Sequence, residues 1–265
     1  MQKKLPISVC MVSGAEAHRI GRALDSVAGW VSEIVVVLNE EVNDGTAEII
    51  ERHGGTVHRH PWQGFREQKN LSQGRASQLW ILHLDADEEV SEPLRAEILQ
   101  FFEGDHERFA GASFPRKVWF LGRWITHGDW YPDRVLRLYR RDAGRWGGTE
   151  EHCKVELRGE EKKLRPDLLH YSNPNTTAYL NKFSYYADLY LKRQTAAGVR
   201  WSAPAVVVRS VWRFFRGYVF RLGFLDGYPG FFIAFSTAYS TLFRHTRLYE
   251  SRQPAQPPCT RRASA

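Results

Sequence analysis

Three apolar runs punctuate the first part of the chain: residues 7–12 (ISVCMV), 34–38 (IVVVL) and 79–84 (LWILHL). Each is short, mainly aliphatic and bounded by polar residues. Such runs predict strands buried on both faces. Between the first two, Ile20, Leu24 and Val27 recur at helical spacing. Asp44 stands where it would cap a helix over 46–53, which Gly54 and Gly55 end. A short strand at 56–58 and a polar helix around 67–78 lead into the third run. Alternating strands and helices of this kind predict an α/β fold with a mostly parallel sheet flanked by helices.

The pattern changes further on. Residues 111–119 and 135–140 (VLRLYR) predict a second β-rich stretch. From 176 to 197, Tyr179, Phe183, Tyr186 and Tyr190 recur at helical spacing. Residues 204–224 predict one basic amphipathic helix. Arg209, Arg213 and Arg216 fall within about 60° on a helical wheel, with aromatic and aliphatic residues filling the other side. The uncharged run 227–243 carries Ser236, Thr237, Tyr239, Ser240 and Thr241. It is short and polar for a spanning helix, so an interfacial or buried helix is expected. Residues 251–265 are Pro-rich and polar and are expected to be disordered.

Charge sharpens this division. The 265 residues carry 37 Lys and Arg against 30 Asp and Glu, a net charge of +7. Residues 1–115 hold 11 basic and 18 acidic residues, and residues 116–265 hold 26 and 12. A basic, aromatic second half is expected to meet an anion: nucleic acid, a phosphorylated substrate or an acidic membrane surface. Apolar residues at 43% exclude global disorder. Cys10, Cys153 and Cys259 are far apart, which argues against a disulfide framework and for a reducing compartment. No secretory leader is expected, because the run 7–12 is too short for its apolar core.

In open α/β sheets, ligands sit beyond the carboxyl ends of the strands. Three polar clusters fall there: Ser13-Gly14-Ala15-Glu16, Asn39-Glu40-Glu41 and Asp85-Ala86-Asp87. Asp85 and Asp87 are two residues apart and project toward the same side. They form a hard oxygen site suited to Mg²⁺ or Mn²⁺ held together with substrate phosphates. The same acids also fit a solvated loop running into a helix cap. Neither GxGxxG nor GxxxxGK[ST] is present, which argues against a dinucleotide-binding fold and a P-loop nucleotidase.

These motifs in this order resemble a family 2 glycosyltransferase of the GT-A fold. The resemblance runs through the early strand with its Glu, the β-branched strand, Asp-Gly-Thr (44–46), Lys69-Asn70 and the stretch 80–88 (WILHLDADE). The second half resembles the bacterial lipopolysaccharide-core branch, through 134–141 (RVLRLYRR), His152, 168–172 (LLHYS) and 223–227 (GFLDG). The resemblance implies a GT-A catalytic domain over 1–175, with a nucleotide-sugar half to 115 and an acceptor half beyond. A helical membrane- or acceptor-associated extension over 176–250 follows. Glu16, Asn39, Asp44, Lys69, Asn70 and Asp85 would meet the nucleotide sugar, and Asp87, with Asp85, the metal. The family's Asn before Glu16 is Ala15 here, and Asn39 replaces an Asp.

The implied reaction is inverting transfer of a sugar, glucose by this resemblance, from a UDP-sugar donor to a lipopolysaccharide-core or other lipid-linked acceptor. The family's base lies in a His-Glu or His-Asp pair, which is His152-Cys153 here. Cysteine is not an expected base for a sugar hydroxyl, so Glu151 is the first candidate, with Asp129 and Asp133 as alternatives. His152 and His170 are read as structural or substrate-binding histidines rather than zinc ligands. Arg134, Arg137, Arg140 and Arg141 are candidate phosphate contacts, although alternation sets Arg137 opposite Arg134 and Arg140. The expected partners are the donor, the acceptor and an anionic membrane surface, at the inner face of the cytoplasmic membrane. The rival readings are a polyprenyl-phosphate sugar transferase and, in another class, a basic nucleic-acid-binding protein. The latter lacks any recognisable binding motif, and its acidic half would repel phosphate.

Overall fold

The computed structural model describes residues 4–149 and 153–254. The chain divides between Pro174 and Asn175 into two compact units.

The first unit opens with β1 (Leu5–Ser13), α1 (Ile20–Asp25), β2 (Val31–Asn39), α2 (Thr46–Arg52), β3 (Thr56–His60), α3 (Phe65–Arg75) and β4 (Trp80–His83). The strands follow the apolar runs because both of their faces are covered. Ile7, Val9 and Met11 of β1 join Trp80 and Leu82 in one core cluster, while Cys10 and Ile81 join another. After β4 come β5 (Glu88–Val90), α4 (Glu92–Glu103), β6 (Gly111–Phe120), β7 (Arg123–Trp124) and β8 (Asp133–Arg140). The unit ends with β9 (Gly144–Gly147), β10 (Lys154–Leu157), β11 (Glu161–Lys163) and β12 (Leu168–His170).

The main sheet runs β3-β2-β1-β4-β8-β6-β12-β5. β3, β2, β1 and β4 are parallel, whereas β8 is antiparallel to both β4 and β6. β6 pairs in parallel with β12. Sheet growth reverses beside β1: the chain adds β2 and β3 on one side, then returns to lay β4 on the other. β9 and β10 form a separate hairpin. A Cβ at Gly144 would lie 2.4 Å from the Tyr139 ring, so glycine is what lets this hairpin close over the sheet.

Two element ends differ from the sequence pattern. Gly45, at φ 93°, occupies the cap position of α2, and Asp44 sits one residue earlier. The Asp44 carboxylate still accepts from the Thr46 amide at 3.1 Å, so it serves the helix start from outside. The polar helix begins at Phe65 and stops at Arg75, because Ala76 turns extended to enter β4.

The second unit contains α5 (Thr176–Ala196), α6 (Ala203–Phe215) and α7 (Gly227–Glu250). On α5, Tyr179, Phe183 and Ala187 are the buried residues, and Tyr186 is exposed. The expected single helix over 204–224 is not formed. It ends at Phe215, a π turn covers Arg216–Phe220, and Leu222 takes φ 58°. The reversal depends on close backbone approach: a Cβ at Gly223 would lie 2.6 Å from the Gly217 carbonyl. The uncharged run falls inside α7. Among the described residues, no helix is long and apolar enough to cross a membrane. The expected disorder of 251–265 concerns a segment that, from residue 255, lies outside the described residues.

Candidate active site

The reversal beside β1 makes the carboxyl ends of β1 and β4 a switch point, where ligands bind in open α/β sheets. The loop after Ser13 carries Glu16 and Arg19, and the loop after His83 carries Asp85 and Asp87. Both arise because buried strands must end before polar residues can reach solvent.

Asp85 is the centre of a charge network. One carboxylate oxygen lies 3.2 Å from Lys69 Nζ, and the other 2.5 Å from the Arg137 guanidinium. Arg137 also reaches Glu88 at 2.8 Å, Glu88 reaches Arg116 at 3.1 Å, and Arg116 reaches Asp133 at 2.6 Å. Burial alone would raise the Asp85 pKa, but Arg137 and then Lys69 hold it well below the usual carboxylate range. Lys69 also lies 4.2 Å above the Trp146 ring. Buried His83, at the foot of the loop, has its pKa pushed down to about 4, chiefly by burial and next by Lys69. With both oxygens in ion pairs, half-buried Asp85 anchors the loop.

Asp87 has a different environment. Its Oδ1 lies 3.5 Å from His170 Nε2 and its Oδ2 3.5 Å from Arg19. Burial works against its charge, and the His170 hydrogen bond leads the effects that lower its pKa. Arg19 is held in turn by Glu16, whose Oε1 accepts at 2.7 Å. The Glu16 carboxylate is therefore engaged by an arginine that faces Asp87.

Asp44 joins the loops after β1 and β2. Its Oδ2 accepts from the Ala17 amide at 3.2 Å, while the Thr46 hydroxyl accepts from the Glu16 amide at 3.0 Å. The Thr46 hydrogen bond is the main reason that the Asp44 pKa falls below its ordinary value. Asn39 ends β2, and its side-chain amide makes no hydrogen bond among the described residues. Asn70 is held by the backbone of β9. Its amide donates to the Trp146 carbonyl at 3.0 Å and accepts from the Trp146 amide at 3.1 Å. Both ends of the side chain thus clamp α3 to β9.

Glu151, with Glu150 and His152, lies outside the described residues. Cys153 is half-buried and packs against the cluster containing Tyr139 and Trp146. Asp133 opens β8 and is tied to Arg116, which makes it part of the network above. Asp129 lies in the short helical turn Gly128–Trp130. The arginines of β8 and the Arg141 that follows it do not share a site. Arg134 donates to the carbonyls of Ser113 and Leu164, Arg140 pairs with Asp142, and Arg141 donates to Ala76.

The residue underweighted by sequence is His170. β12 sets it opposite Glu88 of β5 and beside Val118 of β6, which carries it to the Asp87 loop. Its Nδ1 is buried without a hydrogen-bond partner among the described residues, so the fold does not use up the ring's polar capacity. No group of three or more His, Cys, Asp or Glu that could hold a metal occurs among the described residues. One carboxylate and one imidazole nevertheless fit a divalent ion whose remaining positions are filled by phosphate oxygens and water.

Comparisons with known proteins bear on the family and the fold. The chain is 28% identical over 260 residues to an uncharacterized glycosyltransferase of Rickettsia felis, covering 92% of this chain and 90% of the relative. A Rickettsia conorii glycosyltransferase, also uncharacterized, is 26% identical over 260 residues with the same coverage. Among solved structures, the mannosyltransferase PcManGT of Pyrobaculum calidifontis, in complex with GDP-Man and Mn²⁺, superposes with a TM-score of 0.53 at 10% identity. It covers 95% of this chain and 89% of its own. S. aureus TarS 1–349 in complex with UDP-GlcNAc gives 0.50 at 13% identity, covering 92% and 84%. The fold is thus the GT-A fold of these transferases. The profile described as Glycosyl transferase family 2 matches residues 8–158, more than half of the sequence, and the chain belongs to that family.

Proposed function

We propose that the protein moves a sugar, glucose by the lipopolysaccharide-core resemblance, from a UDP-sugar to a lipopolysaccharide-core or other lipid-linked acceptor with inversion. The observation that carries this reading is the convergence of Asp87, His170 and Arg19 beyond the carboxyl ends of β1 and β4.

Asp87 and His170 are the residues that would hold Mg²⁺ or Mn²⁺. When bound, the ion neutralises charge developing on the departing diphosphate. Lys69 and Arg137 keep Asp85 ionised and fix the loop that presents Asp87. The unbonded amide of Asn39 is available to the base edge of the nucleotide. The acceptor oxygen forms its bond to the anomeric carbon as the bond to the diphosphate breaks, and the acceptor proton passes to a carboxylate, assigned to Glu151. A screen of nucleotide sugars for Mn²⁺-dependent diphosphate release tests this. Turnover of at least one donor is expected, and none with any donor or metal contradicts it.

The second unit supports peripheral docking on an anionic membrane, at the inner face of the cytoplasmic membrane. Val208, Val211, Trp212 and Phe215 of α6 are exposed, as are Phe220 and Phe235. An apolar surface of this extent, in a strongly basic unit, fits a bilayer interface. Trp212→Ser with Phe220→Ser should lower sedimentation with phosphatidylglycerol vesicles, and unchanged sedimentation rejects the docking face.

A further inference from the structure

Helices α5 and α7 of the second unit bring two arginines to one tyrosine. The guanidinium of Arg244 on α7 lies 4.9 Å from the centroid of the Tyr190 ring, and that of Arg193 on α5 lies 5.8 Å away. The Tyr190 hydroxyl is 3.2 Å from His245 Nδ1. Arg244 is half-buried, and its shielded Nε has no hydrogen-bond partner among the described residues. Burial, followed by the charges of Arg213, Arg193 and Arg209, pulls the Arg244 pKa below the ordinary guanidinium value. Burial, then Arg244 and Arg209, also lowers the pKa of His245, which keeps that ring neutral at pH 7.

Acids are scarce in this unit. Residues 175–254 contain eleven Lys and Arg against three acids. Asp188 lies 2.6 Å from Arg247, and Glu250 lies 3.5 Å from the same arginine. Asp226 is wholly buried. Among the described residues, Arg193, Arg209 and Arg244 form no ion pair, so they repel one another across the three helices. A buried, unbonded guanidinium nitrogen amid converging cations is a poor structural solution unless an anion completes it.

We propose that Arg193 and Arg244, which flank Tyr190, form a phosphate-binding site with Arg209 of α6, the helix packed on α7. A phosphate offers several oxygens and up to two charges to guanidinium forks that present paired donors. A single carboxylate would answer only one of the three cations. The ligand is a phosphate group, either free or carried on a lipid headgroup. The site is built entirely from the second unit and does not rest on the donor reading.

The test uses the whole chain, the Arg209→Gln and Arg244→Gln variants, and their combination, at constant ionic strength. In one arm, inorganic phosphate is titrated while thermal unfolding is followed. In the other, binding to phosphatidylcholine vesicles is measured with and without phosphatidic acid. Wild type should gain stability with phosphate or bind the phosphatidic acid vesicles, and the double variant should need about tenfold more of that ligand. A response to free phosphate that also displaces protein from vesicles assigns a soluble phosphate, and a vesicle response alone assigns a headgroup. Without ligand, Arg209→Gln, which removes an exposed charge, should melt no lower than wild type, because it relieves repulsion. Equal behaviour of wild type and the double variant in both arms overturns the proposal. So does a lower melting temperature of Arg209→Gln in phosphate-free buffer, which would make that arginine a structural tie.

Discussion

Asp87 Oδ1 and His170 Nε2 face each other at 3.5 Å, one just past β4 and the other at the end of β12. Topology makes this pair. β12 runs antiparallel to β5, and the Tyr171 amide donates to the Asp87 carbonyl at 2.8 Å, which pins the two segments together. If His170 completes a metal site, His170→Ala should raise the Mn²⁺ concentration for half-maximal turnover by about tenfold or more, the scale set by losing even an outer partner of a metal ligand. Saturating Mn²⁺ should restore much of kcat. An unchanged metal requirement would make His170 a structural residue.

Arg137 carries stability rather than chemistry. Its side chain is buried against Asp85 and Glu88, so its removal leaves two carboxylates poorly compensated. Arg137→Met is expected to cost about 3 kcal/mol in urea unfolding, as for other broken buried pairs. Adding Asp85→Asn should recover about 1 kcal/mol or more, since one stranded charge is then gone. Strict additivity of the two substitutions would contradict the network.

His83 sets an acid limit. Its pKa in the folded protein is pushed down to about 4, whereas in the unfolded chain it returns to about 6.5. Below about pH 6.5 the unfolded chain binds a proton that the native site refuses, so stability falls as the pH drops toward 4. The whole window is worth roughly 3 kcal/mol. Unfolding free energies at pH 7, 6, 5 and 4.5 should therefore decline more steeply for wild type than for His83→Met. Parallel curves would remove His83 from the account.

The base assignment separates by kcat. Glu151→Gln should lower kcat by about 10²-fold with donor binding kept. Asp133→Asn should instead act mainly on stability, because Asp133 is tied to Arg116. A nearly neutral Glu151→Gln beside a crippled Asp129→Asn or Asp133→Asn would move the base to the earlier loop.

The α/β order was legible because strands covered on both faces must be continuously apolar, as Val35, Val36 and Val37 are. The paired aspartates were legible because chemistry needs them just past such a strand, and the GT-A expectation came from family resemblance. Other features depend on tertiary contacts that no local pattern reports. One is the Trp146 backbone, which bonds both ends of the Asn70 amide. The apolar stripe of 204–224 looks continuous, but Gly217, Gly223 and Leu222 turn the chain within it. Arg137 carried one available signal: an arginine between Leu136 and Leu138 in a strand must find acids once it is buried. His170 carried less, since only the pairing of β12 with β5 reveals its neighbour.

The central claim is that Asp87 holds a divalent ion against a nucleotide-sugar diphosphate. The most direct measurement is diphosphate release from the donor found by screening, with Mn²⁺ and with chelator, for wild type and Asp87→Asn under conditions where both are folded. Wild type should turn over only with metal, and Asp87→Asn should lose at least about 10²-fold whatever the metal concentration. Near-normal turnover of Asp87→Asn, or full wild-type activity in chelator, would contradict the account.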